Sequence, residues 1–117
     1  WEFYYSNGQL RSSGKYSDEA FQEGKRIGIW KTFYESGKTE SISNYSYSYI
    51  PGKVTGYYEN GNLKVLGFFV KGFQSNIWTF YHENGKIKST GLFEKGKKVG
   101  EWKYYDDKGT LIKTEQL

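Results

Sequence analysis

The amino-acid sequence predicts an all-β fold: an elongated antiparallel β-meander of tandem hairpins in a single-layer or shallowly curled sheet. Composition is the first observation, since the 117 residues include 12 Tyr, 8 Phe, 4 Trp and 15 Gly but only one Ala. Aromatic residues favour strands and Gly favours tight turns, whereas Ala is the strongest helix former. The second observation is an internal repeat. The third is a polar turn ending in Gly between two aromatic or β-branched runs of each copy, which is typical of a β-hairpin.

The repeat becomes visible when the chain is aligned on its turn glycines, which lie 29, 24, 24 and 24 residues apart. Seven residues before each glycine stands Trp or, once, Val, and four residues before it the side chain is always aromatic. The aligned glycines are Gly8, Gly37, Gly61, Gly85 and Gly109. Such a period indicates one repeat domain over residues 1–117. Its copies are expected at about residues 1–29, 30–53, 54–77, 78–101 and, as a partial copy, 102–117.

Each copy is predicted to contain two strands and two turns. An aromatic run is followed by a turn such as ENGN, a second run such as LKVLGFF, and a second polar turn such as EKGKKVG. The first copy has five extra residues between Tyr16 and Gly24, which predicts a longer, solvated turn. The second copy departs most, because SY at residues 48–49 replaces the usual Gly-Lys. The third copy has Val54 in place of Trp.

The core is expected to consist of aromatic columns that stack from hairpin to hairpin. A single hairpin is not stable in water, so each one must bury its rings against the next. A column of glycines, Gly14, Gly67 and Gly91, falls in the middle of predicted strands, where Gly normally weakens pairing. We expect these glycines to leave room for a ring from a neighbouring strand to lie across the backbone.

Composition also excludes several kinds of site. The chain has no Cys, so disulfides, thiol nucleophiles and Cys-ligated zinc are excluded. The formal net charge of +4 is spread along the chain, with acidic residues between the basic ones, and falls short of a nucleic-acid footprint. No apolar run reaches the length of a membrane span. We therefore expect no nucleic-acid partner and no membrane-spanning segment.

The polar residues most suggestive of chemistry are expected to be structural. His82 is the only His, and it stands in a column that Tyr occupies in the first three copies. Asp106 and Asp107 lie in the turn DDKG, where Asp is favoured for local hydrogen bonds. A general base would need a positioned nucleophile or acid, and the sequence supplies neither. The prediction is a protein without catalytic residues, metal or cofactor.

Candidate partner-binding residues are Tyr45, Tyr47, Tyr49 and His82. The three tyrosines alternate with Ser in SNYSYSYI, so a strand would place them on one face. Exposed Tyr rings are good interface anchors. The alternative is that they fill the gap left by the missing Trp of the third copy. Recognition is otherwise expected at positions that differ between copies.

The pattern G-x-W-x-x-Y-Y-x-x-G-x-[LI]-x-x-x-G-x-[FY]-x-x-G-K resembles the MORN repeat variant, the repeat of bacterial proteins described as YwqK-family antitoxins. The resemblance is clearest in NIWTFYHENGKIKSTGLFEKG and GKKVGEWKYYDDKGTLIKT. It departs at Val54 and through residues 44–51. It implies an elongated antiparallel sheet with a role in binding, and the antitoxin label implies sequestration of a toxin protein. Choline- or glucan-binding wall repeats are a competing likeness, but the period and the Gly-Lys turn fit the MORN variant better.

The sequence thus predicts a non-enzymatic repeat scaffold that binds another protein, with a toxin as the partner implied by the resemblance. The alternative is an exported cell-wall or carbohydrate-binding module that uses exposed aromatic rings. A third hypothesis is self-association through open sheet edges. A cytoplasmic location is expected of an antitoxin, and an exported or cell-envelope location if a signal peptide preceded Trp1.

Overall fold

Ten antiparallel strands form one open sheet in the structure, a computed structural model that describes residues 1–16, 26–45 and 50–117. Each strand pairs with the strand before it and the strand after it in the chain. The strands are β1 (Glu2–Tyr4), β2 (Leu10–Tyr16), β3 (Arg26–Phe33), β4 (Thr39–Tyr45), β5 (Gly52–Tyr57), β6 (Leu63–Val70), β7 (Phe73–Tyr81), β8 (Ile87–Glu94), β9 (Lys97–Tyr105) and β10 (Leu111–Gln116). The predicted all-β meander is confirmed. The lengthened first turn and the SY pair at 48–49 lie outside the described residues.

The first turn of every copy has the same hydrogen-bonded geometry. In the first copy the Gly8 N–H donates to the Tyr5 carbonyl oxygen (3.0 Å), and the Tyr5 N–H donates to the Gln9 carbonyl oxygen (2.8 Å). The turn glycine has φ between 88° and 93° in all five copies, the left-handed region that a side chain disfavours. A one-residue register shift accompanies each turn, so the repeat period is fixed by a turn that requires Gly.

Each buried Trp lies across a glycine of the preceding strand. Trp30, Trp78 and Trp102 are only 1%, 5% and 0% exposed. A Cβ atom built on the facing glycine would lie 2.1 to 2.3 Å from the indole ring. The facing glycines are Gly14, Gly67 and Gly91. The expected role of this glycine column is therefore confirmed, because no side chain fits between these strands and the rings.

A bulge in the strand brings the Trp onto that glycine. The residue two positions before each Trp has positive φ, and these residues are Gly28 (65°), Asn76 (64°) and Gly100 (69°). Where Val54 replaces Trp, it pairs in plain register with a buried serine, Ser43, and that pairing has no shift. Glycine, bulge and Trp therefore occur together, and all three are absent where Ser43 pairs with Val54.

The buried rings form a continuous line on one side of the sheet, which we call the aromatic face. Tyr45 stacks on Phe69, with ring centroids 5.3 Å apart. Edge-to-face contacts then run from Phe69 to Trp78 (5.9 Å), from Trp78 to Phe93 (5.6 Å) and from Phe93 to Trp102 (5.2 Å). Each such pair adds about 0.5–1.5 kcal/mol beyond the burial of its area. The predicted stacking from hairpin to hairpin is thus confirmed.

A second set of contacts joins consecutive copies at the turns, and we call it the hydroxyl ladder. A side chain of one copy donates to a carbonyl oxygen 23 or 28 residues further along the chain. The bonds run from Tyr5 to Phe33 (2.7 Å), from Tyr34 to Tyr57 (2.5 Å) and from Tyr58 to Tyr81 (2.6 Å). Burial, with the nearby carboxylates of Glu40 and Glu59, raises the pKa of Tyr34, so its hydroxyl remains a donor.

Replacing Gly91 by Ala is expected to lower the free energy of unfolding by about 1–3 kcal/mol or more, because the new methyl group overlaps the Trp102 ring. Ser43→Ala is the matched control, since Ser43 has the same repeat position but pairs with Val54. It should cost about 1 kcal/mol or less. Urea denaturation followed by Trp fluorescence measures both variants. If Gly91→Ala and Ser43→Ala lowered the free energy of unfolding equally, the Trp102 ring would not be the reason why residue 91 is glycine.

Candidate binding face

The side of the sheet opposite the buried Trp rings carries no second layer among the described residues, and we call it the open face. Strand register places one continuous row of side chains across it from β3 to β9. The row is Lys31, Ile42, Thr55, Leu66, Thr79, Thr90 and Lys103, each paired with the next. At about 4.8 Å per strand this row is about 29 Å long. Lys31 and Lys103 at the two ends of the row are exposed, and the side chains between them are half-buried.

A parallel row on the open face carries exposed aliphatic side chains. Ile29 is 59% exposed, and Ile77, at the same repeat position, is 61% exposed. Leu92 pairs with Ile77 and is also exposed. Around Ile29 a shallow depression of about 320 Å³ is lined by Ile42, Asn44, Lys53, Thr55 and Tyr57. Apolar groups ringed by polar side chains in this way are typical of an interaction surface.

The charges of the open face are mostly positive at its centre. Lys31 pairs with Ile42, and Lys53 pairs with Phe68, so both ammonium groups border apolar side chains. An ion pair joins Lys103 to Glu101, 3.7 Å apart near the last copy. The face therefore offers apolar contact together with cations.

The structure places the predicted partner-binding tyrosines only in part. Tyr45 is half-buried and stacks on Phe69 at the end of the aromatic line. Tyr47 and Tyr49 lie outside the described residues. Their role as partner contacts remains a prediction.

His82 continues the hydroxyl ladder. Its Nε2 lies 3.0 Å from the Tyr105 carbonyl oxygen, the place that a Tyr hydroxyl takes in the earlier copies. Because a carbonyl only accepts, Nε2 must carry the proton in this contact. The side chain is half-buried, in a depression of about 400 Å³ with Tyr58, Glu83, Asn84 and Asp107. Here His82 acts as a structural donor, and its predicted contact with a partner remains a prediction.

The paired aspartates have separate roles in the last turn. The Asp106 carboxylate accepts hydrogen bonds from the N–H groups of Thr110 and Lys108, both 2.9 Å. These bonds, led by that from Thr110, hold the pKa of Asp106 below its usual range. Asp107 instead offers its backbone carbonyl oxygen to Asn84 (2.6 Å). Within the described residues no cluster of acidic or His side chains is suited to a metal ion.

The open-face residues were not singled out by the sequence. The position before each buried Trp, or before Val54 in the third copy, holds Ile29, Lys53, Ile77 and Glu101 in successive copies. It is therefore one of the positions that differ between copies, where recognition is expected. The missing information was orientation, because a bulge before the Trp interrupts the alternation of side chains between the two faces.

The repeated strand-turn unit also matches a known family. The family model described as MORN repeat variant matches residues 1–18, 26–47, 51–71, 74–95 and 98–116, most of the chain. The chain belongs to the MORN repeat variant family. MORN repeats commonly mediate binding or scaffolding and are typically non-enzymatic. Comparison with curated proteins and with solved structures gave no match.

The match with the MORN repeat variant concerns the repeat itself and carries no information about a toxin. Nor do the described residues include a helix long and apolar enough to cross a membrane. What the family membership supports is a surface for interaction, and the open face is the surface that the fold leaves uncovered.

His82→Tyr is expected to leave the free energy of unfolding unchanged or to raise it, because a Tyr hydroxyl can donate to the Tyr105 carbonyl oxygen as in the other MORN copies. His82→Ala should lower the same quantity by about 0.5–1.5 kcal/mol, the usual loss for one hydrogen bond. Urea denaturation at neutral pH measures both. A similar loss from the two variants would contradict the ladder role of His82.

Asp106→Ala is expected to lower the melting temperature at neutral pH, because it removes the acceptor of two turn hydrogen bonds. The pKa of this carboxyl is lowered by folding, so its stabilisation is present above its unfolded pKa and is lost as pH falls through the folded pKa. The difference from the wild type should therefore shrink in acid, as followed by thermal melts in a series of buffers. Asp107→Ala is the control in the same turn, and an equal pH trend there would refute the assignment.

Proposed function

We propose that the chain is a non-enzymatic scaffold that binds another protein through the open face. The observation that carries the proposal is the contrast between the two faces. The aromatic face buries its own Trp rings, whereas the open face leaves Ile29, Ile77 and Leu92 accessible in ordered strands. Membership of the MORN repeat variant family supports the same conclusion, since such repeats commonly mediate binding or scaffolding.

The mechanism is rigid presentation of a long surface. Backbone pairing, buried rings and the hydroxyl ladder hold each copy to the next, so the open face loses little conformational entropy on docking. A row about 29 Å long across seven strands can supply the roughly 800 Å² per partner of a standard interface. The aliphatic side chains would supply the apolar centre of that interface, and the lysines its orientation.

Within this proposal the partner is a toxin protein that the chain sequesters, as the resemblance to YwqK-family antitoxins suggests. Sequestration requires an extended, stable contact, which suits a surface that crosses most of the sheet. The free toxin would then inhibit growth, and its complex with this chain would not.

The carbohydrate alternative depends on rings that a sugar can reach. Trp30, Trp78 and Trp102 are buried and cannot stack on a sugar, whereas Trp1 and Tyr4 are exposed. The aromatic residues that suggested this alternative are therefore largely used in packing. A protein partner accounts better for the aliphatic side chains of the open face.

The test is comparative affinity capture with the intact chain and with the variant Ile29→Glu, Ile77→Glu. Both isoleucines are exposed, and other copies carry Lys53 and Glu101 at this position, so the fold tolerates charge there. A partner that uses the open face should be captured stoichiometrically by the wild type and lost, at least tenfold, with the variant. Mass spectrometry of both eluates measures the loss.

Leu117→Glu is the matched control, because Leu117 is similarly exposed but lies after the last strand. It should retain the partner. The captured protein is then expressed alone and together with the chain. Growth arrest that co-expression relieves supports the antitoxin role, and normal growth removes that role while leaving the scaffold. Capture of wall glycan in place of protein, or equal capture by all variants, would contradict binding through the open face.

A further inference from the structure

We propose that the sheet edge formed by the turns Lys71-Gly72 and Lys95-Gly96 docks an acidic, extended segment of the protein partner. One apolar side chain of that segment would sit in the depression beside the turns. The inference rests on the proposed function and adds to it the chemistry of the partner.

The two turns carry Lys at positions where Lys is a poor choice. Each is a two-residue loop, with Val70 paired to Phe73 in one hairpin and Glu94 paired to Lys97 in the next. Both residues of each loop have positive φ: 54° and 81° in the first, 50° and 83° in the second. Asn-Gly or Gly-Gly fits such a loop with least strain. Lys at the first position of both loops therefore points to a requirement for positive charge.

The two turns lie side by side at one edge of the sheet. The Gly96 N–H donates to the Gln74 carbonyl oxygen (2.9 Å), which ties the second turn to the strand that follows the first. The ring of Phe73 lies against Gly96, where an added Cβ atom would be 3.4 Å from the ring. Lys71 and Lys95 therefore extend from neighbouring, fixed turns.

A depression of about 360 Å³ opens beside these turns and is large enough for one Leu or Phe side chain. Its apolar wall is formed by Pro51, Val70 and Leu92, and Ser75 and Asn76 supply polar groups. Lys95 stands on its rim. Leu92 pairs with Ile77, so the depression continues directly into the exposed row of the open face.

The charge at this edge favours an acidic occupant. The lysines near the two described turns are Lys53, Lys71, Lys95, Lys97 and Lys98, and Glu94 lies among them. Lys98 is held over the Trp102 ring, 4.6 Å from its centroid. Lys53 pairs with Phe68, and Lys97 pairs with Glu94 across the second turn. An acidic segment would meet several cations while its apolar residue fills the depression.

A protein segment fits these features better than other anions do. A membrane surface would require apolar side chains that project outward, but here the apolar site is concave. Nucleic-acid bases bind by stacking on exposed aromatic rings, whereas the aromatic residue that lines the depression, Phe93, is buried. An extended peptide can place an apolar side chain in the depression and its carboxylates beside the lysines.

The test uses a labelled peptide that alternates Glu with Leu, and a second peptide with Lys in place of Glu. Fluorescence anisotropy with the intact chain should show saturable binding of the acidic peptide only, weakened by added salt. The variant Lys71→Asn, Lys95→Asn should weaken it roughly tenfold, since two exposed charge pairs are removed. Asn suits the left-handed positions, so the melting temperature should be retained or raised and loss of folding cannot explain weaker binding. Leu92→Ser should also weaken binding.

Lys88→Asn, Lys108→Asn is the control, because it removes the same charge from the region of the other turns. Unchanged binding with that control and weak binding with Lys71→Asn, Lys95→Asn would support the site. Equal binding of both peptides, no saturable binding, or equal effects of the two double variants would overturn it. Tighter, Lys71- and Lys95-dependent binding of anionic vesicles or single-stranded RNA would also overturn it. If the peptide fails while Ile29→Glu, Ile77→Glu still abolishes partner capture, the proposed function stands without this inference.

Discussion

The contact of each Trp ring with a glycine of the preceding strand is the constraint on which the rest of the sheet depends. The indole of Trp102 takes the space that a side chain on Gly91 would need, so ring and glycine cannot change independently. The bulge before the Trp turns the ring onto that glycine, and the Phe residues then pack against its edge. A one-layer sheet thereby obtains a dry interior without a second layer. The pair Ser43 and Val54 agrees with this dependence. Where Val replaces Trp, the position opposite holds Ser and not Gly.

Much of this arrangement could be predicted from the sequence because it recurs. The period, the turn glycines and the mid-strand glycine column depend on local geometry that each copy must satisfy again, and so they leave a visible pattern. The open face could not be predicted in the same way. Alternation assigns residues to faces only while a strand is regular, and the bulge breaks it. Asn76 adopts nearly the same positive φ as Gly28 and Gly100. Because it is not a glycine, its residue type does not reveal the bulge at that position.

The sequence also could not separate side chains that look alike but have different surroundings. Tyr45 and His82 were predicted as partner contacts from their chemistry, and both already have structural partners inside the chain. Conversely, Ile29 and Ile77 resemble ordinary core residues in a strand pattern and are exposed in the structure. A residue's role in this fold follows from the face it occupies, and face is a property of register.

The hydroxyl ladder gives the molecule a direction. Every bond runs from a donor in one copy to a carbonyl oxygen in the next, so each copy offers a donor on one side and an acceptor on the other. A duplicated copy inserted among the regular ones would find both, and would lengthen the surface by two strands without altering its neighbours. The junction between Ser43 and Val54 is different, because a regular copy placed there would bring a Trp against a residue other than glycine. Growth of such an array by gene duplication is therefore expected within the block that follows this junction, and not across it.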